Sequence, residues 1–202
     1  QFPTELKSGV TYVKVADSSL ALSQIASNFY GNPSEKLKLV GVTGTNGKTT
    51  TATLLFQLFR SLGHPCGLLS TVRNQINDQV IPSTHTTPDP LQLNALLSAM
   101  VDDGCSHAFM EVSSHAVVQK RIAGLQFAGG VFTNITHDHL DYHKTFENYL
   151  SAKKKFFTSL KKDAKIIFNK DDENYSSLLS EAKANKISYS LNFKKASSLE
   201  IQ

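Results

Sequence analysis

The stretch Val42-Thr43-Gly44-Thr45-Asn46-Gly47-Lys48-Thr49-Thr50-Thr51 constrains this chain most, because it joins an apolar run, Leu37 to Val42, to a helix-forming run that begins at Lys48. A strand, a glycine turn and a helix start follow from that order. Gly44 and Gly47 let the backbone turn its N–H groups into a concave nest that can follow phosphate oxygens, and the next helix presents its positive end to the same anion. In such a loop Lys48 meets the outer phosphates and the Thr49 hydroxyl can ligate Mg²⁺. The strict spacing asks for a further glycine at position 42, where Val42 stands, with Gly41 one residue too early. The stretch is a variant P-loop.

A chain of 202 residues with 40% hydrophobic content is long enough for one sizeable α/β core plus a small neighbour, and too ordinary in composition for disorder or a fibre. No apolar run approaches the roughly 20 residues of a membrane helix. Gln1 to Gly9 has neither a basic start nor an apolar core, so no export signal is expected. Cys66 and Cys105 lie far apart without a metal-type spacing, which suits two ordinary thiols in a reducing cytoplasm. The net charge of +4 is uneven, with eleven lysines against six acids in residues 151–202. Lys153-Lys154-Lys155 and Lys161-Lys162 carry no interleaved aromatic stacking pattern, so they read as a solvated helix face and its end, and nucleic acid is not an expected partner.

Residues 1–36 read as the end of something: a short alternating strand, Thr11 to Val15, then a helix capped by Asp17 or Ser18. Leu20, Leu22, Ile25, Ala26 and Phe29 give that helix an apolar stripe ending near Gly31-Asn32-Pro33. One strand and one helix cannot bury a core alone. From position 37 strands and helices alternate: strand 37–43, helix 48–62, strand 66–71, a polar loop over 74–83, helix 90–102, strand 107–112 and a short helix near 114–122. Strand 127–133, helix 145–160, strand 165–169, helix 173–184 and a final alternating stretch, 187–193, complete the reading. That alternation predicts a mostly parallel sheet with helices on both faces, in which ligands collect at the carboxyl ends of the strands.

The residues after each strand therefore carry the chemistry. Glu111 emerges from a buried apolar run and needs a cation, for which Mg²⁺ shared with Thr49 is the obvious candidate and a hydrogen bond to backbone or to Lys48 the plainer one. Asn134 to His143 holds three histidines and two aspartates without a zinc spacing, so some are expected at metal or phosphate and the rest as loop hydrogen bonds or caps. Thr84 to Asp89 opens helix 90–102, where a helix cap and a ligand contact are equally good readings. Gln119 and Arg121 can meet an anionic substrate or simply sit on the surface, and Asn169-Lys170-Asp171-Asp172 can reach a base or ribose.

Taken together, five motifs in order resemble the Mur ligases, ATP-dependent amino-acid-adding enzymes of peptidoglycan synthesis. They are Gly41 to Thr51, His85-Thr86-Thr87-Pro88, Glu111-Val112-Ser113-Ser114-His115, Asp138 to His143 with Tyr149 to Lys153, and Asn169 to Asp172. Within that family the branch adding the third residue, the tripeptide synthetases, is the most similar. The resemblance implies an N-terminal UDP-binding domain of which residues 1–36 are the tail, a central ATP-binding ligase domain over 37–202, and a C-terminal domain beyond. It implies that Gly44, Thr45, Asn46, Gly47, Lys48, Thr49 and Thr50 hold ATP with Asn169 and Asp172. By the same likeness Thr49 and Glu111 hold one Mg²⁺, His139 contacts a second, and Lys153 is a lysine that becomes carbamylated near the metal. Thr86, Thr87, Ser113, Gln119 and Arg121 would contact UDP-MurNAc-L-Ala-D-Glu, the partner being a diamino acid, meso-diaminopimelate or L-lysine. The implied protein is a cytoplasmic monomer serving cell-wall synthesis, cell shape and division. Lys144 departs from the glycine usual in the family after Asp-Tyr-His.

Three other readings compete. A sister ligase would add another peptidoglycan residue, or glutamate to folate. The 202 residues alone could be an inactive nucleotide-binding module. A metal-dependent hydrolase built on His137 to His143 would leave the P-loop and Thr86-Thr87-Pro88 unexplained.

Overall fold

The computed structural model describes residues 3–83, 85–138, 140–192 and 199–200. In chain order these form α1 (Ser18–Phe29), a 3-10 turn (Pro33–Glu35), β1 (Lys38–Thr43), α2 (Lys48–Ser61), β2 (Cys66–Leu69), β3 (Arg73–Ile76) and β4 (Gln79–Pro82). There follow α3 (Pro90–Asp102), β5 (His107–Glu111), α4 (Ser114–Val118), β6 (Gly129–Phe132), α5 (Leu140–His143), α6 (Phe146–Thr158), β7 (Lys165–Asn169), α7 (Tyr175–Leu179), β8 (Asn185–Ser190) and β9 (Leu199–Glu200).

The strands form one sheet in the order β4-β3-β2-β5-β1-β6-β7-β8-β9, parallel from β2 to β9 with an antiparallel hairpin at the β4 edge. From β1 the chain crosses to β2 on one side, and from β5 it crosses to β6 on the other. The connections thus diverge at the carboxyl ends of β1 and β5, the crevice where open α/β sheets bind ligands. Register sets the two ends side by side, Val42 opposite Glu111 and Thr43 opposite Phe132.

Alternation along the strands splits the core in two. Val42, Leu68, Cys66, Phe109 and Val131 pack against Ala52 and Phe56 of α2 on one face. Leu39, Leu69, Met110, Val112 and Phe132 meet Leu93, Leu97, Phe156 and Phe157 of α3 and α6 on the other. Asp89 caps α3, accepting from the amides of Leu91 at 2.9 Å and Gln92 at 3.0 Å, with Pro90 opening the helix. That settles Asp89 as a cap.

Several expected elements differ. Thr11 to Val15 is not a strand but a largely exposed segment, because no neighbouring strand among the described residues offers it a ladder. The expected loop over 74–83 is the β3–β4 hairpin. Its strands are too polar to read as such, and its turn rests on Asn77, left-handed at φ 49°, which accepts from Arg60 and from the amide of Cys66. The stripe on α1 is also turned: Ser23, Ala26 and Ser27 face the body, while Leu22, Ile25 and Phe29 lie outward, Phe29 at 78% exposure. The short helix near 114–122 ends at Val118, the helix expected over 173–184 is only Tyr175–Leu179, and the final strand is Asn185–Ser190. Lys153 is not part of a solvated face, since it is 1% exposed, whereas Lys154 pairs with Glu181 on the surface.

Gly41 has a packing duty. A Cβ there would come within 2.6 Å of the Phe156 ring, 2.9 Å of Val112 and 3.0 Å of Phe127, so only glycine lets α6 lie this close to β1. Gly41→Ala is expected to cost about 1–3 kcal/mol by overpacking, measured by urea denaturation. An unchanged midpoint would contradict it.

Candidate active site

Beyond β1 the loop bends at Gly44 and Gly47, with φ of 154° and 82°. At Gly44 a Cβ would fall 2.0 Å from Thr133 Oγ1, so the loop can lie against the segment after β6 only without a side chain there. That segment holds the loop firmly. The amide of Thr45 donates to the Asn134 carbonyl at 2.8 Å, the amide of Asn46 to Asn134 Oδ1 at 3.0 Å, and Thr133 Oγ1 to the Asn46 carbonyl at 2.7 Å. With those amides engaged, the N–H groups of Lys48, Thr49 and Thr50 in the first turn of α2 remain for an anion.

Lys48 Nζ folds back to donate to the carbonyls of Thr45 at 2.7 Å and Gly44 at 3.1 Å. Lys153 Nζ, coming from α6 on the other side, donates to the same Gly44 carbonyl at 2.7 Å and to Thr43 Oγ1 at 3.5 Å. Burial lowers the pKa of both lysines. For Lys153 burial and then the Lys48 charge bring it down to about 7, against the opposing pull of Asp138.

Glu111 ends β5 at 1% exposure. Its Oε1 accepts the Thr71 amide at 2.7 Å, while Oε2 takes no hydrogen bond among the described residues. Thr87 Oγ1 donates to the Glu111 carbonyl at 2.9 Å, and the amide of Ser113 donates back to Thr87 Oγ1 at 3.3 Å. Arg121 is held by donating to the Thr87 carbonyl at 2.7 Å and to Gln119 Oε1 at 2.9 Å. Lys48, Thr49, Glu111, Thr86, Thr87, Ser113 and Arg121 line one open cavity of about 400 Å³ together with Thr71, His85 and His115. Cations, a carboxylate and hydroxyls thus share one wall, a setting for polyanions and a hard oxygen-binding cation.

Not every expected residue joins that cavity. Gln119 serves as a support for Arg121 and Tyr142. Asn169 donates to the Thr133 carbonyl at 3.2 Å, and Asp172 accepts the Ile135 amide at 2.7 Å, so both brace the segment after β6. His139 lies outside the described residues. Of its neighbours, His137 stacks on Phe146, and His143 is buried with Nε2 2.9 Å from Ser114 Oγ. Lys144 takes φ 71°, a left-handed conformation that explains why glycine suits this position. Thr71 and Asn134 gained no role from sequence reasoning, yet each sits at or just beyond a strand's carboxyl end, where that reasoning places ligands.

The family model described as "Mur ligase middle domain" matches residues 42–202. The chain belongs to the Mur ligase family. It is 59% identical over 191 residues to a Bacteroides fragilis protein named UDP-N-acetylmuramoyl-L-alanyl-D-glutamate--2,6-diaminopimelate ligase, covering 95% of this chain and 39% of that one. A Cytophaga hutchinsonii protein of the same name is 62% identical over 181 residues, 90% of this chain and 37% of its own. A solved structure titled as that ligase superposes with TM-score 0.77 at 30% identity, over 92% of this chain and 40% of the other. E. coli FolC, solved with DHPP and ADP, shares the fold alone, at TM-score 0.62 and 18% identity. The chain thus spans about two fifths of the length of the curated relatives it matches.

Because Lys153 holds a lower pKa folded than unfolded, the unfolded chain binds the extra proton between about pH 7 and the ordinary lysine value of 10.5. Stability contributed by this group therefore rises with pH through that window and is flat below it. Subtracting Lys153→Met from the parent in urea denaturation at stepped pH is expected to reveal that rise. A difference that stays flat above pH 7 would contradict it.

Proposed function

We propose that this chain is the ATP-binding part of a ligase that adds a diamino acid, meso-diaminopimelate, to UDP-MurNAc-L-Ala-D-Glu. The cavity that has Lys48, Thr49 and Glu111 at its phosphate end and Thr86, Thr87, Ser113 and Arg121 along its other wall carries this reading. The names of relatives at 59% and 62% identity favour diaminopimelate over lysine. Residues 1–36 are the tail of a substrate-binding domain, and 37–202 belong to the central domain.

The first turn of α2 receives the ATP phosphates, and Lys48 leaves the carbonyls of Gly44 and Thr45 for the outer ones. Asn169 and Asp172 frame the base and ribose end through the segment they brace. Arg121, fixed by Thr87 and Gln119, orients the anionic dipeptide so that its carboxylate faces the γ-phosphate. Attack of one anion on another is opposed electrostatically, and Lys48 with the α2 amides offsets that repulsion. A carboxylate oxygen bonds to the γ-phosphorus as the bond from that phosphorus to ADP breaks, so ADP leaves and an acyl phosphate results. The incoming amine then attacks its carbonyl, loses a proton and forms the amide as inorganic phosphate departs.

Thr49 and the open Oε2 of Glu111, hard oxygen donors on one wall, fit a Mg²⁺ ion, which would screen the phosphates when bound. Lys153, with its amine brought near neutrality, is suited to add CO₂ as a carbamate and release a proton. His139 would complete a second metal position.

Phosphate release by a full-length ligase carrying these residues is the test, with meso-diaminopimelate and L-lysine offered separately beside the UDP-dipeptide. Release only with diaminopimelate is expected, and Lys48→Met should lower it about 10³-fold or more, in keeping with the loss of a principal charge stabiliser. Release with lysine alone, or with a folate substrate instead, would overturn the assignment.

A further inference from the structure

Tyr149 belongs to a motif of the chain that the mechanism leaves without a role. Its side chain is wholly buried, at 0% exposure, an expensive place for a phenol without a partner. The hydroxyl lies 3.1 Å from Thr45 Oγ1, inside the phosphate-binding loop. The ring face lies 4.7 Å beneath Lys153 Nζ, one turn further along α6, and the ring of buried His143 lies tilted against it with centroids 5.2 Å apart. One side chain therefore touches both the loop and the buried lysine that share the Gly44 carbonyl.

Thr45 Oγ1 stands at the centre of a small network. It lies 3.3 Å from the Thr136 carbonyl and accepts the Thr136 amide at 2.9 Å. The Tyr149 hydroxyl completes the set, and either of the two oxygens can supply the proton between them. Burial raises the phenol's pKa, which keeps Tyr149 protonated. The loop's backbone is thus tied at Thr45 by amide, hydroxyl and phenol together, while Lys48 holds only carbonyls that it must leave to meet phosphate.

We propose that Tyr149 is a positioning residue for nucleotide binding: its hydroxyl pins Thr45, and its ring backs Lys153, so that loop and lysine keep one register when Lys48 moves to the phosphates. The proposal rests on the ligase reading above. The phenol touches no substrate and acts through Thr45 and Lys153.

The test uses steady-state kinetics of a full-length ligase carrying these residues, as Tyr149→Phe, Thr45→Val and the double variant. Loss of the shared hydrogen bond predicts a rise of about tenfold in KM for ATP in Tyr149→Phe, with KM for the UDP-dipeptide within about twofold, and at least as large a rise in Thr45→Val, which also gives up both Thr136 contacts. The double variant should be no worse than Thr45→Val, because that change already removes the contact that Tyr149→Phe removes. Tyr149→Leu, which also removes the ring under Lys153, should lower kcat below that of Tyr149→Phe. An ATP KM unchanged in Tyr149→Phe, multiplicative effects in the double variant, or both KM values rising together as for a merely structural residue would each overturn the proposal. A parent that neither binds ATP nor forms the amide would instead remove the ligase reading, and this proposal with it.

Discussion

The Gly44 carbonyl, accepting from Lys48 on one side and Lys153 on the other, is the contact on which the site depends. Two ammonium groups converging on one oxygen, away from most water, cannot both keep an ordinary pKa. The strain falls on the more buried of them, and Lys153 comes down to about 7. Lys48, less enclosed and within reach of the charges of Glu111 and Asp138, keeps more of its charge for a polyanion. Burial first, and the charges around each lysine second, thus set apart two amines that share one backbone oxygen.

That oxygen is where it is because of the sheet. Divergence of the crossovers at β1 and β5 opens the crevice, the Val42–Glu111 register places the carboxylate beside the loop, and α6 delivers Lys153 and Tyr149 from beneath. Glycine at position 41 lets α6 approach, and glycine at position 44 lets the loop rest on Thr133. Each requirement is steric and local. Together they bring residues more than a hundred positions apart in the chain into one hydrogen-bonded set.

The strand–turn–helix at 38–61 was legible in the sequence because its signals are local: an apolar run, two glycines and a helix-forming stretch. The parallel sheet followed from the alternation, and Glu111 from its place at a strand's end. What depends on tertiary contact was less legible. The β3–β4 hairpin escaped because its residues are polar and its turn is stabilised by Arg60 of α2, outside the hairpin itself. The α1 stripe pointed the wrong way because small residues, Ser23, Ala26 and Ser27, make the closer contact with the body. Lys153 looked like one of three surface lysines by composition, and only its motif, then its burial, set it apart. The bracing duties of Asn169 and Asp172 could not be read at all, since the carbonyl and amide they meet lie more than thirty residues away.

The proposed reaction is chemical at its centre: in a ligase built on this cavity, a substrate carboxylate would meet the γ-phosphate and form an acyl phosphate. The most direct measurement is oxygen transfer, using UDP-MurNAc-L-Ala-D-Glu labelled with ¹⁸O in the reacting carboxylate and mass analysis of the phosphate released during ligation. The account predicts one ¹⁸O in each phosphate, carried across when the amine displaces it. Phosphate without label, or label appearing in AMP, would contradict it.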